Sequence, residues 1–420
     1  MSTQNNPKAV VTNPKQVQSF VVWGLVLFLI AALLGTSMRL FWVVELPYFE
    51  YTNVLHAHSH LAMLGWGFTI ICALFIHFLK GYIQKPKLYW GLVLANILVC
   101  SLMTVSFVLK GYTILSISLL TAHLLIAYYL GFLLLSDLKK LRNQTATLLG
   151  RWAIYWMFIS TIGVWFLPLV IVNLGKLHPL YLASIEFFLH LQFNGWFVFA
   201  VLSILVLFFE LQGKILKISR LEFFGLQISL VLTYGLPAYW SYPFEILAYL
   251  NSLGVLIQAV VFGRLLIPMV KALKDPTQDK SDLGYWLIVL GLISLFAKIV
   301  VQLTLLLPAF LHASSDIRQF FVGFIHLIML GFFTMTSVGI CLRRGLIPQN
   351  MLSKVGLLML IIAFILTELT LFSQGLLLWN SFDSIPKYYE ILLGFTLFLP
   401  LGILLVLASF AVKQPKGLLH

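Results

Sequence analysis

The chain has 420 residues, of which 61% are hydrophobic and only 10% are charged, and its mean hydropathy is +0.99. A composition this apolar excludes a water-soluble globular protein and makes lipid the main solvent of the molecule. The formal net charge of +13 does not predict nucleic-acid binding, because the basic residues lie in short loops between long apolar runs.

Twelve apolar runs follow one another along the chain, each long enough to cross a bilayer as an α-helix. Residues 1–17 are polar, and the run after them is too long for a signal peptide, so we expect a tail followed by a retained first span. A second tail is expected at 413–420. The spans are predicted at 18–44, 54–79, 88–108, 112–136, 152–174, 181–209, 218–239, 245–267, 284–310, 317–342, 352–379 and 387–412.

The basic residues predict the orientation of this all-α polytopic protein. With a cytoplasmic N-terminus, 21 of the 27 Lys and Arg residues lie inside, five lie outside and Lys298 lies in mid-membrane. Positive charge is retained on the cytoplasmic side, so both termini are expected there, and we expect a bacterial inner membrane. The five outer residues are Arg39, Lys110, Lys176, Arg318 and Lys387.

A short motif, His-Leu-x-x-x-Gly-Trp/Phe, occurs three times, beginning at His60, His190 and His326. The copies are 130 and 136 residues apart and fall in the second, sixth and tenth spans. The chain therefore reads as three four-helix repeats, at 18–142, 151–274 and 284–412, in a pseudo-threefold arrangement. The glycine is expected to permit close helix packing.

The three motif histidines are predicted to lie at similar depth below the outer surface. Histidine in a bilayer is costly unless it is paired or liganded, so a ligand role competes with a hydrogen bond between helices. The occurrence of three histidines at matched depth favours the ligand role over the hydrogen bond. His56, His58 and His60 alternate in sequence, and His56 shares a helix face with His60 while His58 points nearly opposite. This pair predicts either a metal clamp or interfacial hydrogen bonding.

Two other ionisable residues are candidates for catalysis or proton handling. Glu186 lies one helical turn before His190 on the same face, as a second ligand or a proton-handling group would, or it is an interfacial carboxylate. Lys298 is predicted to be buried in the ninth span, either on a proton path or paired to a neighbouring helix.

Imidazole is a good ligand for haem iron and for copper, and two histidines on facing helices give a haem suited to electron transfer. The absence of a CxxCH attachment site favours non-covalent b-type haem. Arg39 and Arg318, near the outer ends of their spans, are candidates to neutralise haem propionates or to anchor lipid headgroups.

The twelve-span layout and the histidines on the second, sixth and tenth helices resemble subunit I of haem-copper oxidases and nitric oxide reductases. The tenth span, VGFIHLIMLGFFTM, is similar to the family stretch Gly-His-x-His-x-Gly-x-Leu-Gly-Trp. The resemblance implies that His326 is a low-spin haem ligand, with His60 or His58 as its partner. His60 is preferred because it keeps the repeat register. His190 would correspond to a copper ligand.

The sequence also departs from that family. Phe324 stands where the high-spin haem ligand is expected, and the seventh span has no histidine, so the binuclear centre is expected to be incomplete. The pattern at His58 and His60 also resembles the NnrS family of haem- and copper-containing membrane proteins linked to nitric oxide tolerance.

The leading functional hypothesis is a b-haem membrane protein in electron transfer or in oxygen or nitric oxide chemistry, with copper possible at His190, His56 or His58. The alternatives are a histidine-lined transporter or metal permease and a non-catalytic assembly partner. Expected partners are membrane lipid and other respiratory or assembly subunits, with no nucleic acid. Because no soluble domain or c-type haem site is encoded, electrons would come from another cytochrome chain or from quinol.

Overall fold

The computed structural model describes residues 14–276 and 278–412, and all regular secondary structure within these ranges is helical. Of the predicted tails, 413–420 and all but the end of 1–17 lie outside the described residues. Twelve helices are long and apolar enough to span a membrane. They are α1 Lys15–Leu40, α2 Tyr51–Phe78, α3 Pro86–Lys110, α4 Ile114–Leu138, α5 Gln144–Asn173, α6 Pro179–Glu210, α7 Arg220–Ser241, α8 Glu245–Lys274, α9 Leu283–Thr304, α10 Arg318–Arg343, α11 Met351–Trp379 and α12 Tyr388–Ala411.

The prediction of twelve spans in an integral, multi-pass membrane protein is confirmed, with differences at the helix ends. One difference is in the ninth span, which the sequence predicts to continue to residue 310. Instead α9 ends at Thr304, and Pro308–Asp316 forms a separate short helix. Proline at the first turn of a helix is favourable, whereas inside a helix it removes a backbone hydrogen bond, so Pro308 begins a new helix.

Polar side chains fix where several helices begin. The Asn143 side chain accepts a hydrogen bond from the Ala146 amide at 2.9 Å at the start of α5. Ser219 and Glu222 form a reciprocal capping box at the start of α7, and Asn350 and Ser353 form one at the start of α11. Such caps satisfy the free amides of the first helical turn.

The helices close into a ring of three repeats around a central trio. The last helix of each repeat contacts the first helix of the next, in the pairs α4–α5, α8–α9 and α12–α1. The second helices of the repeats, α2, α6 and α10, contact one another. The buried share of the most apolar stretch is 83% in α2, 100% in α6 and 83% in α10, against 50% or less in the other nine. These contacts are those of a pseudo-threefold bundle.

Each central helix contains a π-helical segment that begins directly after its motif histidine. The segments are Leu61–Gly67, Leu191–Phe197 and Leu327–Thr334. A π turn is rare inside α-helices and is often found at functional sites. The Thr334 hydroxyl donates to the Met329 carbonyl at 2.7 Å and accepts a hydrogen bond from the Trp66 indole at 3.2 Å. The repeated motif therefore encodes a repeated distortion, and one of its hydrogen bonds joins α2 to α10.

The motif glycines lie where each central helix meets the first helix of its own repeat. A methyl group on Gly195 would lie 2.7 Å from Trp156 Cβ of α5, and one on Gly331 would lie 2.6 Å from Ser294 Oγ of α9. The same addition on Gly65 would meet Leu27 of α1 at 3.5 Å. The prediction that these glycines permit close helix packing is confirmed for Gly195 and Gly331, whereas 3.5 Å at Gly65 is an ordinary van der Waals distance.

We expect Gly195→Ala to destabilise the protein by about 1–3 kcal/mol, because the added methyl group overpacks the contact with Trp156. Gly263→Ala in α8 is the matched control, since no atom lies within 4 Å of its added methyl group. Thermal unfolding in detergent measures the difference. If Gly195→Ala melted at the same temperature as the control, the Trp156 contact would have to accommodate the methyl group without loss of stability.

Candidate functional site

His58 of α2 is fixed by the backbone of α1. Its Nδ1 lies 2.8 Å from the Ala31 carbonyl oxygen. A carbonyl oxygen only accepts hydrogen bonds, so Nδ1 carries the proton and Nε2 keeps a free lone pair. Gly35 of α1 makes room for the ring, since a methyl group there would lie 2.9 Å from His58 Cε1. A histidine oriented by a hydrogen bond through one nitrogen is the usual state of a metal-ligating histidine.

His326 of α10 is paired with a buried carboxylate that the sequence analysis missed. The His326 side chain is 23% exposed, and its Nδ1 lies 3.7 Å from Glu368 Oε1 of α11. Both oxygens of Glu368 are buried without a hydrogen-bond partner. A signal for Glu368 existed in the sequence, because an acidic residue inside an apolar span is rare and is usually functional.

Arg39 interacts electrostatically with one of these histidines and with Arg318. Arg39 is within electrostatic range of Arg318, of Glu368 and of His326, and His326 is within range of His58. The Arg318 guanidinium donates to the Tyr51 hydroxyl at 2.7 Å and lies 5.6 Å from the centre of its ring. The structure thus brings together four of the predicted cofactor-binding residues, from α1, α2 and α10.

His60 lies on the opposite side of α2 from His58. Its Nδ1 donates to the His56 carbonyl at 2.8 Å, and its ring packs against Phe107 of α3 with 4.7 Å between ring centres. His60 Nε2 lies 3.4 Å from the Tyr112 hydroxyl. The preference for His60 over His58 as the partner of His326 is therefore corrected. The two residues are two positions apart on an α-helix, or about 200° around its axis, so only one of them can face α10.

The His56–His60 pair forms a small polar cluster on that opposite face. The two rings are 6.3 Å apart, and the His56 ring lies 4.7 Å from that of Tyr112. Within residues 14–276 and 278–412, no three His, Cys, Asp or Glu side chains are arranged to hold a metal ion. The two histidines are close to each other, but no third such side chain joins them.

His190 of α6 occupies a separate site. Its Nε2 donates to the Leu230 carbonyl of α7 at 2.9 Å, which leaves the Nδ1 lone pair free. His190 and Glu186 line the same cavity of about 300 Å³, so the shared face expected for these two residues is confirmed. The structure does not bring His190 next to His58 or His60.

Lys298 is buried in α9, as the sequence predicts. Its ammonium donates to Gln258 Oε1 of α8 at 3.0 Å and lies 5.6 Å from the centre of the Phe262 ring. It is also within electrostatic range of His190. The sequence left two roles open for Lys298, a place on a proton path and pairing with a neighbouring helix. This geometry favours the pairing.

Comparison of the chain with protein-family models and with curated proteins gives no match.

Replacing both members of a buried polar pair by apolar residues is often neutral or stabilising, so we expect the double variant Lys298→Met/Gln258→Leu to leave stability unchanged or to raise it. Gln258→Leu keeps the lysine but removes its hydrogen-bond partner, and we expect a loss of about 1–3 kcal/mol. Thermal unfolding of both variants in detergent tests this asymmetry. A double variant that is less stable than Gln258→Leu would contradict it.

Proposed function

We propose that this protein binds b-type haem between α2 and α10, with His58 and His326 as axial ligands, and serves in electron transfer within the membrane. The observation that carries the proposal is the hydrogen bond from His58 Nδ1 to the Ala31 carbonyl. It leaves Nε2 free, and His58 is within electrostatic range of His326. Two neutral imidazoles from facing helices are the ligands that a low-spin haem requires.

The surrounding residues fit a haem for reasons independent of the two ligands. Arg39 and Arg318 come from different helices and are within electrostatic range of each other, and haem carries two carboxylates that two such cations would neutralise. A bound haem would supply one-electron transfer. No covalent attachment site is needed, because the ligands and the arginines together would hold the group.

The protein's own side chains would tune this site. Ala31 fixes the tautomer and the orientation of His58. Glu368 Oε1 lies 3.7 Å from His326 Nδ1, beyond hydrogen-bond distance, and a negative charge there would raise the basicity of the ligand electrostatically. Arg39 is within electrostatic range of the Glu368 carboxylate and would offset its charge in this low-dielectric setting.

We propose a distant relation to subunit I of the haem-copper oxidases, without a complete binuclear centre. Phe324 and the absence of histidine from α7 argue against oxygen or nitric oxide reduction by the family's usual centre. Copper remains a candidate at His190 or at His56 and His60. Electrons would come from a cytochrome or from quinol through partner subunits. The division into three repeats does not favour a transporter, because common twelve-span carriers consist of two six-helix halves.

We expect His58→Ala and His326→Ala to abolish the reduced α-band of b-type haem, because each removes an axial ligand. His60→Ala is the matched control and is expected to keep the band, since its ring faces Phe107 and Tyr112. Optical spectra of purified, haem-replete protein before and after dithionite reduction measure the effect.

Two outcomes of this experiment would contradict the proposal. A well-folded but colourless wild-type protein would exclude haem and would favour a transporter or a non-haem metal site. Loss of the band in His60→Ala, with retention in His58→Ala, would exclude the ligand pair proposed here.

We also propose that the molecule lies in a bacterial inner membrane with both termini in the cytoplasm. The charge distribution supports this orientation, since 21 of 27 basic residues lie on one side. The three native cysteines are buried, so introduced cysteines can report sidedness without interference.

We expect a membrane-impermeant maleimide to label Asp383→Cys, in the exposed α11–α12 loop, in intact spheroplasts. Asp279→Cys, exposed in the α8–α9 loop, should be labelled only after permeabilisation, because its loop would be cytoplasmic. The unmodified protein is the control for background labelling. The reverse pattern would invert the proposed topology.

A further inference from the structure

A cavity of about 300 Å³ lies between the second and third repeats. Its walls come from α6, α7 and α8 of one repeat, from α9, α10 and α11 of the other, and from the short helix Pro308–Asp316. Six phenylalanines and Trp240 are among the lining residues. Cavities of this size with mainly apolar and aromatic walls are typical of sites for small organic ligands.

Glu186 of α6 supplies this apolar wall with a carboxylate. Within the part of the chain that the structure describes, Glu186 makes no hydrogen bond and no ion pair. Its oxygens keep accessible surface, whereas those of Glu368 are fully buried. A carboxylate in an apolar, membrane-embedded wall is costly unless a positive charge pairs with it. The chain supplies no such charge to Glu186, so we look for it in a ligand.

Comparison of the three repeats shows that the fold does not require a carboxylate at this place. The position four residues before the motif histidine is occupied by His56 in the first repeat, by Glu186 in the second and by Val322 in the third. All three central helices nevertheless form, each with its π-helical segment. Since α10 takes its place in the central trio with valine there, packing of the trio does not explain Glu186.

The charge and the aromatic walls favour the same kind of ligand. The carboxylate attracts a cation, and the faces of aromatic rings attract an ammonium group in the same way. His190 also lines the cavity, and because its Nε2 donates to the Leu230 carbonyl, its remaining ring nitrogen is an acceptor. An ammonium group carries a positive charge and several hydrogen-bond donors, so it matches both side chains.

The surroundings favour an organic cation over a metal ion. Among the described residues, no three His, Cys, Asp or Glu side chains are arranged to hold a metal, so Glu186 and His190 lack a third such ligand. Lys298 does not line the cavity, and it is within electrostatic range of His190 but not of Glu186. A cation at Glu186 therefore avoids the positive charge of Lys298.

The edge of the cavity reaches the lipid-facing side of α11. Leu376 lines the cavity and is 46% exposed. It continues a helical stripe of exposed apolar side chains formed by Leu358, Ile362 and Leu369, which is the pattern of a lipid-facing surface. A ligand that partitions into the bilayer can therefore enter from the side.

We propose that this cavity binds a lipophilic amine, with its ammonium group on Glu186 and its apolar ring against the aromatic walls. Neither His58 nor His326 lines the cavity. The site is therefore distinct from the proposed haem site, and the inference adds a ligand class to the protein without depending on haem.

The test is calorimetric titration of the detergent-purified, full-length protein with naphthylmethylamine, which is a cation at neutral pH. Naphthylmethanol has the same ring without the charge, so we expect it to bind at least roughly tenfold more weakly. In Glu186→Gln, the affinity for the amine should fall to that for the alcohol, while the affinity for the alcohol stays unchanged. Glu390→Gln, at an exposed position of α12 that does not line the cavity, is the matched control. EDTA in all samples excludes a bridging metal ion.

A second variant and a stability measurement separate ligand binding from a structural role. Phe324→Leu removes part of the aromatic wall, so we expect it to weaken binding of the amine and of the alcohol. Because valine is accommodated at the matching position of α10, Glu186→Gln should melt at or above the wild-type temperature.

Three outcomes would overturn the proposal. They are equal affinity of the wild-type protein for the amine and the alcohol, the same preference for the amine in Glu186→Gln as in the wild type, and no detectable binding of the amine. His58→Ala should bind the amine as the wild type does, so failure of the haem proposal would be recognised separately.

Discussion

The close contact of α2, α6 and α10 is the constraint on which the rest of the structure depends. In lipid, helices gain little from burying apolar surface against one another, so association relies on tight packing and on hydrogen bonds between helices. Here Gly195 and Gly331 let α6 and α10 approach α5 and α9, and the Trp66–Thr334 hydrogen bond joins two of the central helices directly. Each motif histidine directly precedes the π-helical segment of its central helix. The packing of the three central helices therefore fixes the positions of these histidines.

Backbone carbonyl groups orient the central histidines. His58 donates to Ala31, His60 to His56, and His190 to Leu230. Each bond uses one ring nitrogen and leaves the other free. The partner comes from another helix for His58 and His190, but from the same helix for His60. A histidine held by a neighbouring helix keeps its orientation when a ligand arrives, and this favours His58 and His190 as functional groups.

Helix α10 separates two different chemical environments. On one side, His326 lies 3.7 Å from the Glu368 carboxylate and is within electrostatic range of Arg39 and His58. On the other side, Phe324 lines a cavity whose walls include Glu186 and His190. The residue that departs from the oxidase-like pattern is thus part of a cavity wall.

The sequence by itself determined the twelve spans, the three repeats and the set of candidate histidines. These features depend on hydropathy and on a motif with a regular spacing, and both can be read directly from the order of the residues. Only the tertiary structure decided that His58, and not His60, lies near His326, because helix rotation depends on neighbouring helices. It also revealed Glu368 opposite His326. The cavity depends on residues as distant in sequence as Glu186 and Leu376, and no local pattern specifies that such residues meet.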